Sequence, residues 1–327
     1  MSMNNITNNT PPPIDNIHVI ARQKRDGILI NIIRHPKARV GVVILAFFVL
    51  IAVLGPILSP GDPLAFVDNP NLPPSANHWL GTSGQGQDMF KQVVQGTRVS
   101  LMVGFLVGIL ATVFGTLVGM SSAYFGGRVD DFLSLFTNIF LIIPGLPLLV
   151  ALAAFLPRGP VTIVLVLAFT GWAGTARVLR SQTLALREKD FVSAALASGE
   201  NHLRIILVEI LPNMASIVAS SLFGAINYGI AAQASLEFLG LGNLSKVSWG
   251  TILYWAGNNA GLLTGAWWTF VPAGLCIALV AFSLTMLNFA IDEITNPRLK
   301  NQKGFYQRLK KNFRSSRLST PILSDHE

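Results

Sequence analysis

The sequence has 327 residues, of which 12% are charged and 51% are hydrophobic, and its mean hydropathy is +0.53. This composition excludes an intrinsically disordered chain, which needs low hydrophobicity and high charge, and it argues against a water-soluble enzyme, because a soluble domain carries about 25% charged residues. The net charge of +8 is compatible with contact with nucleic acid or a membrane, and the single cysteine, Cys276, excludes a disulfide framework and a cysteine-based metal site within the chain.

A polar tail of 39 residues precedes the first hydrophobic run. Its first part is rich in asparagine and proline, and this composition predicts disorder. Neither the length of the tail nor its sequence fits a secretory signal peptide, which has a short charged segment and a small-residue cleavage site after the hydrophobic run. Residues 1–39 are therefore predicted to form a partly disordered tail.

Six hydrophobic runs follow, each long enough to cross a membrane. A bilayer core about 30 Å thick requires roughly 20 apolar residues in a helix. The runs are apolar on all sides rather than striped, which is typical of helices that face lipid or one another and argues against buried helices of a soluble protein. The predicted fold class is an all-α integral membrane protein with six transmembrane helices, at residues 40–58, 99–123, 132–156, 160–179, 213–236 and 269–290.

The longest connection between the predicted spans is residues 59–98. Its first half contains several prolines, which favour an extended or turning path. Its last part, 88–98, is predicted to be a separate amphipathic segment that lies along the membrane surface. We expect the whole connection to be extracytoplasmic.

Four glycines of the second predicted span lie on one side of the helix. Residues advance by about 100° each in a helix, so the four fall on one narrow stripe that permits close approach of another helix. Packing within the chain and packing against another subunit are both compatible with this stripe. The glycines are Gly104, Gly108, Gly115 and Gly119.

The connection between the fourth and fifth spans, residues 187–213, has the features of two short helices joined at a glycine. Asp190 is predicted to cap the first helix, since a carboxylate accepts hydrogen bonds from free backbone N–H groups. Gly199 is predicted to occupy the position after the helix end, where a left-handed backbone is required. Pro212 is predicted to break or kink the second helix, at about 201–211, before the next span.

The first of these two helices is predicted to carry a protein-docking surface. Four of its residues recur at the spacing i, i+3, i+4 and i+7, which places them on one face. This face is small and mildly apolar, so a partner could approach closely, whereas a plain surface loop would not need two capped helices. The four residues are Phe191, Ala194, Ala195 and Ser198.

The charged residues are sorted by side of the membrane. With six spans, 20 of the 24 Lys and Arg residues lie on the side of the two tails, and this side carries the whole net charge of +8. Because basic residues near spans prefer the cytoplasm, both tails and the 187–213 loop are predicted to be cytoplasmic. The basic excess therefore indicates orientation rather than nucleic-acid binding. The basic C-terminal tail, 291–327, has membrane lipid as a further possible partner.

A set of ordered motifs extends over about residues 35–300. Within the 187–213 loop, Ser193-Ala194-Ala195, Gly199 and Ile210-Leu211-Pro212-Asn213 are similar to the EAA loop of ABC-importer permeases, although Ser193 stands where that family usually has Glu. The wider chain resembles the second permease subunit of the dipeptide/oligopeptide/nickel branch. The further motifs are HWLGT (78–82), GTRVSL (96–101), YFGGRVD (124–130), ASLEFLGLG (234–242), SWG (248–250) and NPRL (296–299).

This resemblance implies a type I ABC-importer permease fold in the bacterial plasma (inner) membrane. It implies a homologous permease subunit, two ATPase subunits and an extracytoplasmic substrate-binding protein as partners. No cofactor is expected on this chain, which lacks the phosphate-binding G-x-x-x-x-G-K-[S/T] motif, so ATP and Mg are expected on the ATPases. The implied cargo is peptide, with oligosaccharide or nickel as alternatives. The implied ATPase-coupling residues are Asp190, Phe191, Ser193, Ala194, Ala195, Gly199, Ile210, Leu211 and Pro212.

An ion-coupled secondary transporter is the alternative class of function. Such carriers place ionisable residues in mid-membrane, but here Glu237, Arg177 and Arg180 lie at the ends of predicted spans. A membrane enzyme would need a cluster of nucleophilic, acid–base or metal-ligating side chains. The five histidines are scattered without metal-ligand spacing, so no catalytic and no metal site is predicted.

Overall fold

The structure, a computed structural model, describes residues 35–261 and 263–295; most of the predicted N-terminal tail, the 296–299 motif and most of the basic C-terminal tail lie outside these residues. Apart from connecting segments and two isolated β-bridges, the described chain is helical. Its helices in chain order are α1 (Pro36–Leu58), α2 (Met89–Phe125), α3 (Gly127–Ile142), α4 (Gly145–Phe155), α5 (Pro160–Arg187), α6 (Asp190–Ala197), α7 (His202–Arg204, Ile205–Ile210 and Leu211–Asn213 in succession), α8 (Ala215–Phe238), α9 (Trp249–Asn258) and α10 (Val271–Thr295).

Five of these helices, α1, α2, α5, α8 and α10, are long and apolar enough to cross a membrane. The largest difference from the sequence prediction is the start of α2. Residues 89–98 are its first turns rather than a separate segment, so the connection predicted at 59–98 ends at residue 88. The reason is a helix cap: the Asp88 carboxylate accepts a hydrogen bond from the Lys91 N–H (3.0 Å). With 37 residues, α2 is about 55 Å long and exceeds a bilayer core of about 30 Å.

The span predicted at 132–156 is not one straight helix. It is divided into α3 and α4, which meet at an angle of 88°. The two residues at the break, Ile143 and Pro144, have extended backbone conformations (ψ 127° and 118°). Proline disfavours a helical conformation in the residue before it, so Pro144 ends α3 rather than merely bending it.

Together α3 and α4 nevertheless extend from one end of the molecule to the other. Leu133, Phe136 and Phe140 of α3 pack near the middle and the C-terminal part of α2, against a cluster that includes Ala111 and Val118. In contrast, α4 packs against the earlier part of α2 and the first turns of α5. The pair can therefore be counted as one broken span. The Lys37 ammonium lies 3.3 Å from the Glu293 carboxylate, so both ends of the described chain are on the same side.

The glycine stripe of α2 lies in contact with other helices of the same chain. A Cβ atom at Gly104 or Gly108 would collide with isoleucine side chains of α8. At Gly115 it would come within 2.8 Å of the Trp172 carbonyl oxygen in α5, and at Gly119 it would collide with the Ala176 carbonyl oxygen. The stripe thus places α2 at the centre of the bundle, between α5 and α8.

The segment 59–88, here called the cap, covers one end of the bundle. Thr82 ties it together by donating to the Asn69 carbonyl (2.7 Å) and accepting from the Leu72 N–H (2.8 Å). The Trp268 indole N–H donates to the Thr82 carbonyl (3.1 Å), which attaches the cap to the segment before α10. Helices α6 and α7 together are called the helical loop. The end of the bundle that carries the cap is called the cap end, and the opposite end, which carries the helical loop, is called the helical-loop end.

Candidate functional site

Helix α6 is short and has a well-defined C-terminal end. Gly199 follows it in the left-handed region (φ 75°), as the sequence predicts. The Gly199 N–H donates to the Leu196 carbonyl (3.0 Å), and the Glu200 N–H donates to the Ala195 carbonyl (3.1 Å). These two bonds form a Schellman motif, which satisfies carbonyls that would otherwise have no partner and fixes where the chain leaves the helix.

The predicted N-cap residue of α6 is wrong by one position. Lys189 occupies the N-cap position, and its side chain makes no capping hydrogen bond. Asp190 is instead the first residue of the helix. Its exposed carboxylate still lies beside the free N–H groups of the first turn, where a negative charge is favourable.

The residues predicted to share one docking face of α6 are divided between two faces. Val192, which the sequence analysis did not single out, is fully buried and sets the orientation of the helix. Phe191 and Ala195 are half-buried against the same cluster of this chain. The exposed face of α6 is therefore formed by Ser193, Ala194, Leu196 and Ala197.

Helix α7 contains a wide turn rather than a break at the proline. Residues Ile205–Ile210 have π-helical hydrogen bonding, and the helix continues through Pro212 to Asn213. Proline has no N–H and its ring would collide with the carbonyl four residues earlier in an α-helix, which accounts for a wide turn at this place. Of the predicted residues, Ile210 is buried, Leu211 is half-buried and Pro212 is exposed.

The helical loop is attached to the ends of α2 and α5. The Tyr124 hydroxyl is hydrogen-bonded to Nδ1 of His202 (2.8 Å), and the Arg187 guanidinium donates to the Ala123 carbonyl (3.0 Å). Beneath these bonds, buried side chains of α2, α5, α6 and α7 form one cluster. The buried side of α6 therefore packs in one cluster with the ends of two spans. Sequence reasoning missed this pair because Tyr124 and His202 are 78 positions apart.

An ion pair lies beside this attachment, between α3 and α5. The Arg180 guanidinium donates two hydrogen bonds to the Asp130 carboxylate (2.7 and 2.6 Å). The same carboxylate accepts from Ser122 of α2 and from Ser134 (2.9 Å). Three spans are thus joined by one carboxylate at the edge of a cavity of about 210 Å³. Charge-assisted bidentate bonds of this kind fix relative orientation as well as adding stability.

Part of the accessible surface of the helical loop is apolar. Beside the exposed face of α6, three α7 side chains are exposed: Leu203 (64%), Leu207 (54%) and Val208 (52%). Among the described residues no group of three His, Cys, Asp or Glu side chains could hold a metal ion. An exposed apolar patch that is rimmed by polar residues is typical of protein–protein contact.

Comparison with known families is consistent with this arrangement. Residues 111–301 match the family model described as the binding-protein-dependent transport system inner membrane component. Residues 28–74 match the model of the N-terminal transmembrane domain of oligopeptide transport permease C.

Two curated relatives cover most of the chain. The dipeptide transport system permease protein DppC of Bacillus subtilis (strain 168) is 32% identical over 272 residues, which is 82% of this chain and 83% of the relative. The oligopeptide transport system permease protein OppC of Mycobacterium bovis is 34% identical over 261 residues, which is 77% of this chain and 89% of the relative.

A solved structure has a similar fold. It is an inward-facing conformation of the MetNI methionine ABC transporter, with a TM-score of 0.52 and 20% sequence identity. The match covers 63% of this chain and 96% of that one.

Proposed function

This chain belongs to the family of binding-protein-dependent transport system inner membrane components, and on that premise we propose that it forms half of a peptide pathway and is driven through α6. It is a multi-pass inner-membrane permease subunit of an ABC importer, and such a subunit works with ATPases and a binding protein. For the complete transporter we propose that this chain assembles with one homologous permease subunit, two ATPase subunits that carry ATP and Mg, and one extracytoplasmic binding protein.

Peptide is the proposed cargo. The observation that supports it is that relatives covering most of the chain are named as dipeptide and oligopeptide permeases. Oligosaccharide and nickel are not favoured by these relatives. Binding of peptides, oligosaccharides and nickel to the partner binding protein tests the proposal directly. Tight binding of peptides alone would support it, and tight binding of only one of the other two classes would contradict it.

The helical-loop end is proposed to face the cytoplasm. The excess of basic residues on the side of the two tails supports this orientation. In this orientation the exposed face of α6 is accessible to a soluble ATPase, whereas the cap lies outside. In a Cys276→Ser background and without the ATPase subunits, labelling of Ser193→Cys by a membrane-impermeant maleimide should occur in inside-out vesicles and not in intact spheroplasts. The opposite pattern would overturn the orientation.

The proposed coupling step is a push on α6. The short helix has small exposed side chains that allow close contact, and its buried side transmits force through Val192 to the ends of α2 and α5. No ATP chemistry is needed on this chain, because its part is to convert the closure of the ATPases into movement of spans. The observation that carries this proposal is the packing of the buried side of α6 in one cluster with the ends of α2 and α5.

An Ala194→Asp variant tests the coupling step. Ala194 is exposed and contacts no cluster of its own chain, so an added carboxylate would be buried only in the complex. A buried unpaired charge costs about 3–5 kcal/mol, enough to reduce docking more than 100-fold. We expect loss of peptide uptake and of binding-protein-stimulated ATPase activity in reconstituted complexes.

Two controls accompany this variant. Ala194→Ser adds no charge, and Ala76→Asp places the same charge on an exposed position of the cap. Both should keep basal ATPase activity and assembly. Normal coupled uptake in the Ala194→Asp variant would refute the proposed docking surface.

A further inference from the structure

A lateral groove lies between α1 and α2, outside the coupling site. It has a volume of about 580 Å³ and is lined by apolar side chains of both helices, including Val53, Met102 and Phe105. Val53 is 66% exposed and Met102 is 48% exposed, so the groove is open to the side of the molecule. The α2 part of the groove extends from Phe105 to Arg98, about 10 Å along the helix axis. This groove lies within the apolar part of two spans.

The groove continues at the cap end into a polar mouth. The mouth has a volume of about 490 Å³ and shares Pro56, Arg98 and Met102 with the groove. Lys246, from the connection between α8 and α9, lies on its other side. Only four basic residues of the sequence belong to the predicted extracytoplasmic side, and two of them meet at this mouth.

The positive charges at the mouth are only partly balanced within the described residues. Arg98 and Lys246 form no ion pair within the described part of the chain, although Asp62 also lines the mouth. The Asp62 carboxylate is instead used by the Leu64 N–H (2.9 Å). Two cations and one carboxylate leave one positive charge, which a phosphodiester monoanion would neutralise.

The mouth is held in shape by hydrogen bonds. The Gln95 side-chain amide donates to the carbonyls of Ser59 (2.9 Å) and Gly61 (3.1 Å), which fixes the cap against α2. On the other side, the Thr251 hydroxyl donates to the Lys246 carbonyl (3.1 Å). Hydrogen bonds therefore hold the backbone near Arg98 and Lys246 in place, and both side chains lie where the apolar groove meets the polar mouth.

We propose that this groove binds an anionic phospholipid, with an acyl chain along α1 and α2 and the headgroup phosphate between Arg98 and Lys246. A lipid matches both parts of the site, because its apolar chain fits a groove at membrane depth and its charge fits the mouth. A soluble anion would use only the mouth. A second protein would need to supply its own acidic group at this place.

Native mass spectrometry of the purified, delipidated complex tests the proposal. The probes are phosphatidylglycerol and phosphatidylcholine with identical acyl chains. Each cation near a membrane surface strengthens binding of an anionic lipid about fivefold. We therefore expect phosphatidylglycerol to bind about 30-fold more weakly to the Arg98→Ala/Lys246→Ala variant, with little change for phosphatidylcholine. Arg158→Ala removes an exposed basic residue on the same predicted side, away from the mouth, and should change neither affinity.

A second variant separates a lipid from other occupants. Ala52 lines the groove and is half-buried, so Ala52→Phe should fill the groove and displace both lipids while it leaves the cations in place. Binding of a free phosphate ion would not respond to this change. Wild-type affinity for phosphatidylglycerol in both variants would overturn the proposal. So would cross-linking of Met102→Cys to the second permease subunit, since that subunit would then occupy the groove. The lipid affinities and the cross-linking result are both independent of the cargo.

Discussion

Replacement of Gly199 by alanine gives a direct test of how the backbone at the end of α6 controls the helical loop. Gly199 has φ 75°, and a Cβ atom there would meet no heavy atom within 4 Å. The effect of the substitution is therefore conformational rather than steric. An L-residue in this left-handed region costs about 1–2 kcal/mol, because its Cβ approaches the following carbonyl oxygen.

This energy should appear as faster local opening of α6. Since 1.4 kcal/mol corresponds to a factor of ten, amide hydrogen exchange of residues 190–200 should accelerate about 5- to 30-fold. The measurement is hydrogen–deuterium exchange by mass spectrometry on the reconstituted complex. Gly199→Asn should stay close to the wild type, because asparagine tolerates the left-handed conformation better than alanine does.

A matched glycine provides the control. Gly174 lies inside α5, its Cβ would also meet nothing within 4 Å, and its backbone is helical. Gly174→Ala should therefore leave exchange in α6 unchanged and stabilise α5 by roughly 0.5–1 kcal/mol. Equal exchange of α6 in the Gly199→Ala variant and the wild type, or an effect of the same size in Gly174→Ala, would refute the reasoning.

Three further outcomes are expected. The Asp130–Arg180 pair can be tested by a double-mutant cycle of Asp130→Asn and Arg180→Gln, measured by urea unfolding in detergent. Each single change should destabilise the folded protein by about 1.5–3 kcal/mol, and the double change by less than the sum of the two. Strict additivity would exclude a direct pair. Gly119→Leu should prevent stable folding, detected as aggregation on size-exclusion chromatography, whereas Gly224→Leu should be tolerated because a Cβ there meets nothing within 4 Å. Tyr124→Phe should weaken attachment of α7 by about 1 kcal/mol and accelerate its hydrogen exchange, and unchanged exchange would show that the hydroxyl contributes nothing.

The membrane spans could be predicted from the sequence because hydropathy depends only on local composition. The left-handed Gly199 was equally accessible, since the requirement belongs to one residue. The N-cap position of α6 differs by one residue from the prediction, because an aspartate is favourable both at the N-cap and in the first turn, so that Asp190 fits either place. The division of the third span could not be decided from Pro144 alone, because proline kinks some membrane helices and ends others, depending on the packing around it.

The attachments of the helical loop were beyond sequence reasoning for a different reason. Asp130 and Arg180 are 50 positions apart, and no local pattern states which of the basic residues near a span will meet an acid. The buried face of α6 was also misjudged, because the i, i+3, i+4 spacing places residues on one face without saying which face is covered. The covered face is the one that carries Val192, which is fully buried in a cluster with residues of three other helices.

The length of α2 has a mechanical consequence. This one helix begins at the Asp88 cap, where the same carboxylate is bonded to His78 (3.0 Å), and ends beside Tyr124, which contacts His202. This helix of about 55 Å is therefore hydrogen-bonded at one end to the cap and at the other end to the helical loop, which lie on opposite sides of the bilayer. If the helix moves as one body about the glycine contacts near its middle, a tilt of one end displaces the other end in the opposite direction. A displacement of the cap would thus displace the helical loop directly through α2, without a chain of side-chain rearrangements between them.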